Sequence, residues 1–175
     1  MRTFISIPLP EKIKDEIVKI QTRLPKFEGK SVEKENLHLT LKFLGEISPD
    51  LVNNVKSSLS SIKFKPLKLV IGSVGTFSYQ NNPRIVWLKV EGAHDLQRKI
   101  DIALSDLFPK EERFMSHLTI ARIKLVSNAG DFKKHLEKIE YNKLEFASRS
   151  FSLKESVLKH SGPVFSTIQK YPCSN

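Results

Sequence analysis

The feature that most limits how this chain can fold is a repeat. The stretch "ENLHLTLKFLGE", residues 35–46, is answered by "FMSHLTIARI", residues 114–123, with His38 and His117 standing 79 positions apart. Their surroundings repeat as well. An opening strand, Thr3 to Ile7, is stopped by Pro8 and Pro10. "PEKIKDEIVKIQTRL" then carries Ile13, Ile17, Ile20 and Leu24 at helical spacing, with Pro10 suited to the first turn. After the first motif, Ser48 is placed to cap a helix that has Pro49 at its first position and Leu51, Val55, Leu59 and Ile62 on one face. "LKLVIGSVGTF" and "RIVWLKV" read as strands joined by a turn in "SYQNNP". The order then begins again. "AHDLQRKIDIALSDLF" puts Leu96, Ile100, Ala103, Leu104 and Leu107 in helical phase, ahead of the second motif strand. The short helix "NAGDFKKHLEKI" follows, then strands in "KLEFASRSFSLKESVLKH" and "PVFSTIQKY" about a turn at Ser161, Gly162 and Pro163.

Helix, motif strand, helix, strand, strand, twice over, is an internal duplication of about half the chain. It predicts an α+β, bilobal, duplicated fold. Two lobes related by a pseudo-two-fold axis present antiparallel sheets to a central cleft, with helices outside. No linker or low-complexity segment separates the halves. Residues 1–175 are therefore expected to form one domain of two interleaved lobes, with one motif in each, at 38–41 and 117–120.

Composition narrows the partners. Of the 175 residues, 39% are apolar, enough for a real core, and nothing suggests a disordered chain. The 29 Lys and Arg against 19 Asp and Glu give a formal charge of +10. That favours a polyanion, nucleic acid before an anionic membrane, although a generic basic surface has the same composition. The basic residues are spread along the chain, which suits a basic cleft better than a floppy arm. A single cysteine, Cys173, rules out a disulfide framework within the chain. The apolar start is too short for a signal peptide or a membrane span, so a cytoplasmic setting without a membrane partner is expected, and a monomer.

In each motif strand, residues two apart share a face. His38 and Thr40 lie together, with Leu39, Leu41 and Phe43 opposite. His117 and Thr119 lie together, with Leu118 and Ile120 opposite. A lone histidine opening a strand is most often structural, but two at equivalent points of a duplication need another reason. Core repetition explains the leucines and leaves the polar face unexplained. If the lobes pack about a pseudo-two-fold axis, the two His–Thr pairs converge. One neutral imidazole can then take a proton from an attacking oxygen, and the other, protonated, can give one to a leaving oxygen. Histidine suits both tasks because its unperturbed pKa is roughly 6.5. Threonine hydroxyls between them can hold phosphate oxygens. A zinc site needs three or four ligands, and His38 with His117 supplies two. His94, His135 and His160 fall in helices or a hairpin without ligand spacing, so no metal is expected.

"ENLHLTLKFLGE" and "FMSHLTIARI" resemble the paired H-x-T-x motifs of the 2H phosphoesterase superfamily. Within it the chain resembles the bacterial and archaeal RNA 2′,3′-cyclic phosphodiesterases, also called 2′-5′ RNA ligases. The likeness extends over "MRTFISIPLP", "GSVGTFSYQNNPRIVWLKV" and "FSLKESVLKHSGPVFSTIQKY". It implies a bilobal fold with a basic cleft and hydrolysis of an RNA 2′,3′-cyclic phosphate end to a 2′-phosphate. It implies that His38 is the proton donor, His117 the proton acceptor, and that Thr40 and Thr119 hold the phosphate. It also implies a reverse reaction joining 5′-hydroxyl RNA, such as tRNA halves, through a 2′-5′ bond, with no ATP or other cofactor. Two other readings stay open. One is a related enzyme acting on a small nucleotide, such as a cyclic phosphate of ADP-ribose or a 2′-5′ oligoadenylate. The other is a non-catalytic RNA-binding module.

Ser116 departs from the family, which usually has proline before the second histidine. Arg122 matches a family arginine and is a candidate phosphate ligand, yet simple alternation puts it opposite His117, so it needs a bulge or a strand end to reach the cleft, and a surface ion pair is the alternative. Lys42 has the parity to line the cleft beside His38, or to be simply solvated. Phe77, Tyr79 and Trp87 flank the middle hairpin and could stack on a base, with core packing the expectation for Trp87.

Overall fold

The computed structural model describes residues 1–160 and 162–174. Ser161, in the predicted last turn, lies outside the described residues. The elements run β1 (Arg2–Pro8), α1 (Glu11–Gln21), β2 (Glu28–Ser31), β3 (His38–Glu46), α2 (Pro49–Ser60), β4 (Leu67–Tyr79), β5 (Asn82–Glu91), α3 (His94–Ala103), β6 (His117–Leu125), α4 (Ala129–Glu137), β7 (Leu144–Ser148), β8 (Ser150–Lys159) and β9 (Gly162–Pro172). These strands form two antiparallel sheets. One has the order β3-β1-β8-β9 and the other β2-β6-β5-β4-β7. Helices α2 and α3 serve the first sheet, and α1 and α4 the second.

Local chemistry explains the helices. Ser48 caps α2, its Oγ accepting from the Leu51 N–H at 3.2 Å, and Pro49 fills the first position. Asn128 caps α4, its Oδ1 accepting from the Asp131 N–H at 2.9 Å. Ile13, Ile17 and Ile20 of α1 and Leu96 and Ile100 of α3 are buried in one continuous core. Three boundaries differ from the periodic reading. α1 stops at Gln21, so Leu24 reaches the core from beyond the helix, and α3 stops at Ala103, so Leu104 and Leu107 pack from the turns after it. The run from Lys143 to His160 is not one strand. It breaks at Arg149, sending β7 to β4 in one sheet and β8 to β1 in the other.

Strands from the two halves of the sequence are mixed within each sheet. β6, from the second half of the sequence, lies between β2 and β5 of the first, and β1 and β3 of the first half complete a sheet with β8 and β9. β2, "EGKS", has no apolar alternation, so nothing in the periodicity predicts it. It adds to the edge of the second sheet by pairing with β6. The middle hairpin closes more tightly than expected. Its turn is Gln80 and Asn81, both at positive φ, as a two-residue hairpin turn requires.

Candidate active site

The two motif strands have the same burial pattern residue for residue, from His38 to Glu46 and from His117 to Leu125. That pattern is not a simple alternation. In β3 the register against β1 slips between Ser6–Thr40 and Ile5–Lys42, leaving Leu41 as an extra residue. In β6 the register against β5 slips between Trp87–Thr119 and Val86–Ala121, leaving Ile120 as the extra residue. A bulge resets which face the following side chains take. Each strand thus buries two residues in succession, Leu41 with Lys42 and Ile120 with Ala121, and then returns to the cleft side.

The consequences for the predicted residues differ. Arg122 comes round to the face of His117 and Thr119, and all three line one cavity of about 160 Å³ with His38 and Thr40. Lys42 goes the other way. It does not line the cleft: it is buried, bonding Asp101 at 2.5 Å and the Pro109 carbonyl at 2.8 Å. Asp101 also accepts from the Gln97 amide at 2.7 Å and the Glu111 N–H at 3.2 Å, so the buried charges are satisfied. Phe43, assigned to the core by alternation, takes the cleft position equivalent to Arg122 and is 72% exposed. The cavity is completed by Lys30, Glu33 and Asn36 and by Pro163 and Phe165 of β9. Lys30 pairs with Glu33, and the Asn36 amide reaches the Pro163 carbonyl at 3.0 Å.

The histidines are held alike. The Nδ1–H of His38 donates to the Asn36 carbonyl at 2.7 Å, and that of His117 to the Met115 carbonyl at 2.7 Å. A carbonyl only accepts, so each neutral ring carries its proton on Nδ1 and leaves Nε2 as the reactive nitrogen. In His38, Nε2 lies 3.0 Å from Thr40 Oγ1, whose hydroxyl donates to it in the neutral form. The His38 ring is wedged between Phe4, 4.9 Å away, and Phe165, edge-on at 5.1 Å. Burial among them pushes its pKa down to about 4. The Asn36 carbonyl opposes that shift, while the charges of Lys154 and Arg122 add to it. His117 meets Phe77 edge-on at 5.0 Å and Trp87 at 6.5 Å.

Trp87 is not core. It opposes Thr119 in the ladder and shares its cleft-side face, half-buried. Tyr79 lies at the exposed end of the hairpin, away from the cavity. His94 stacks edge-on with Phe114, His135 bonds the Asp131 carbonyl within α4, and His160 ends the described part of the β8–β9 hairpin; none of them lines the cavity. Ser116 is 2% exposed, and its Oγ has no partner among the described residues. Sequence reasoning allowed for a bulge before Arg122 but missed its counterpart in β3, and with it Phe43. A repeated bulge leaves no mark of its own, although the shared "xTLKF" and "xTIAR" spacing aligns Phe43 with Arg122.

Two antiparallel sheets that each bring an H-x-T-x pair to one cavity fit a class, the phosphoesterases built on paired His–Thr strands. The chain belongs to the LigT-like phosphoesterase family, whose model matches residues 7–87 and 90–165. A Methanocaldococcus jannaschii protein named RNA 2′,3′-cyclic phosphodiesterase is 35% identical over 98% of this chain and 100% of its own length. One of the same name from Archaeoglobus fulgidus is 30% identical over 98% of this chain and 99% of its own. Among solved structures, a Thermus thermophilus protein superposes with a TM-score of 0.81 at 26% identity, covering 98% of this chain and 97% of that one. The Escherichia coli LigT complexed with 3′-AMP has the same fold, with a TM-score of 0.79 at 22% identity over 99% and 98% of the two chains.

Proposed function

We propose that this protein hydrolyses RNA 2′,3′-cyclic phosphate ends to 2′-phosphomonoesters by acid–base catalysis between His38 and His117. The observation that carries the reading is the matched pair. Two imidazoles, each fixed by the carbonyl two residues before it, meet one cavity with two threonines and one arginine. The names of full-length relatives at 30–35% identity support RNA as the substrate. Residues 1–175 work as one domain of two interleaved lobes, as a monomer in the cytoplasm, where RNA ends and tRNA halves are found.

In this scheme Thr40, Thr119 and Arg122 hold the non-bridging phosphate oxygens. His117 Nε2 takes the proton of the attacking water. The O–P bond forms as the P–O3′ bond breaks, and His38 returns a proton to O3′. Phe43 and Phe165, beside His38, offer a surface for the base of the cyclic nucleotide. In the free protein His38 is neutral at pH 7, since its pKa lies near 4. The anionic phosphate brings the charge that stabilises the imidazolium, so His38 gains its proton as substrate binds. No metal is required, because Arg122 and imidazolium carry the countercharge.

End-group analysis tests the reading. A cyclic-phosphate oligonucleotide incubated with protein in EDTA should yield a 2′-phosphate. A 3′-phosphate product, or no turnover until metal is added, would defeat it. His38→Ala and His117→Ala should each lower the rate by about 10²–10⁴-fold, the usual worth of a general acid or base. Rates on RNA ends that far exceed those on ADP-ribose cyclic phosphate or 2′-5′ oligoadenylate would separate this reading from the small-nucleotide alternative.

A further inference from the structure

The two motif copies hold their histidines alike but differ at the residue that does the holding. The carbonyls of Asn36 and Met115 each accept from the Nδ1–H two positions on, at 2.7 Å. That task uses the backbone, so either side chain is spare. The thioether of Met115 donates nothing. The amide of Asn36 donates to the Pro163 carbonyl at 3.0 Å, and so reaches the tip of the β8–β9 hairpin. That reach spans a whole sheet. β9 is an edge strand, with β8 and β1 between it and β3. In a flat sheet three strand spacings come to roughly 14 Å. Yet the Phe165 ring stands 5.1 Å from His38, and Phe4, on the intervening β1, meets the two at 5.0 Å and 4.9 Å. The hairpin therefore curls over the His38 ring. Its tip buries little else, since Val157, Leu158 and Val164 are exposed. Such a segment opens easily unless something ties it down. His117, by contrast, meets rings from β4 and β5 of its own sheet.

We propose that Asn36 is a positioning residue for the proton donor: its amide latches the β8–β9 hairpin over the His38 ring, and the lack of a counterpart at Met115 is what sets one of two matched histidines apart as the acid. The inference rests on the phosphodiesterase reading above and adds the device that divides the labour within it. Under the hairpin the ring is wedged between Phe4 and Phe165 and loses water. Burial disfavours the imidazolium. A proton that His38 holds against the phosphate therefore passes readily to O3′, and the neutral ring left behind is the form its surroundings favour. With the latch gone, water reaches the ring and that drive weakens. His117, without such cover, stays beside the attacking water. The charges that face His38 are Lys154 of β8 and Arg122 of β6, with His117 across the cavity and Lys30 paired to Glu33 beside Asn36. Removing the Asn36 amide removes none of them. Glu33, 3.5 Å from that amide, keeps Lys30, and the carbonyl that holds Nδ1 stays in place.

An NMR titration of the histidines in the free protein reads the latch directly, with His38 assigned among the five by its loss in His38→Asn. In the wild type His38 should titrate at about pH 4. In Asn36→Ala its midpoint should climb toward roughly 6.5, while the His117 midpoint stays where the wild type has it. Phe165→Leu, which removes the ring that the latch holds down, should raise the His38 midpoint in the same way. Combining the two changes should add little, because both act through one hairpin. On a cyclic-phosphate oligonucleotide at pH 7, Asn36→Ala should lower kcat about tenfold, roughly the worth of one hydrogen bond. A His38 midpoint unmoved in Asn36→Ala, or a kcat that stays at the wild-type value, overturns the latch. Midpoints of His38 and His117 that climb together overturn it too, since they report a general loosening. Each of these results leaves the phosphodiesterase reading standing if the wild type still forms a 2′-phosphate. A wild type that forms none defeats that reading, and the positioning role falls with it.

Discussion

His38 and Ser116 are single residues whose surroundings predict measurable behaviour. The unfolded chain protonates His38 near pH 6.5, whereas the folded chain resists protonation until about pH 4. As pH falls through that window the unfolded state binds the extra proton, so folding stability drops, and below it the loss is complete. Denaturant melts of the wild type should therefore weaken more between pH 6.5 and 4 than those of His38→Asn. Inorganic phosphate should shrink the difference by supporting the imidazolium. Equal slopes would mean that the ring is not desolvated as described. Ser116 is the second case. Its buried hydroxyl is unpartnered, and its N–H makes no backbone hydrogen bond among the described residues. Proline, the residue usual in the family, sacrifices nothing there and restricts the unfolded chain. Ser116→Pro should raise stability by about 0.4–1 kcal/mol, seen as a higher denaturation midpoint.

At the scale of elements, the bulges decide what reaches the cavity, and that of β6 is pinned from outside its own strand. The carbonyl of Ile120, the extra residue of β6, accepts from the Gln21 amide at 2.8 Å and from the Val32 N–H at 2.9 Å. The same Gln21 amide nitrogen reaches the Val32 carbonyl at 2.8 Å. Gln21 at the end of α1 thus positions Arg122 without touching the cavity. Gln21→Ala should lower kcat/KM about tenfold, roughly the worth of one or two hydrogen bonds. It should add nothing in an Arg122→Ala background, because both changes act through one guanidinium. Additive losses would show that Gln21 acts by another route. These pins also mark where sequence reading stopped. Ser48, Pro49 and the isoleucines of α1 speak through local chemistry and period, and they could be placed from the sequence alone. Lys42 and Phe43 could not, because a period of two predicts both of them on the wrong face once Leu41 bulges. Arg122 was flagged only because its family match disagreed with its parity. β2 stayed invisible because a short polar edge strand has neither alternation nor burial, only a neighbour that needs pairing.

The whole molecule carries a formal charge of +10, and a polyanion should feel it. RNA affinity should fall linearly on a log–log plot against salt, with a slope of about −0.7 for each phosphate neutralised on a single strand. Hydrolysis of a cyclic mononucleotide, which offers one phosphate, should have a much flatter dependence. Parallel slopes for the two substrates would confine RNA recognition to the cavity itself. The duplication and the paired motifs were legible at this scale because they are long-range regularities that no single strand can imitate. What the sequence hid is how the copies are shared out between the sheets.

That sharing has a hereditary consequence. A gene cut between the repeats would encode no product that folds, since β6 would lose both its neighbours and β1 the partner on its far side. An ancestral single copy could have completed its sheets only by exchanging strands with a twin. A single chain carrying both copies has no twin to find, and each copy is free to differ from the other. Phe43 and Arg122 stand at matching places after matching bulges, so the two copies now offer the cavity an aromatic ring and a guanidinium.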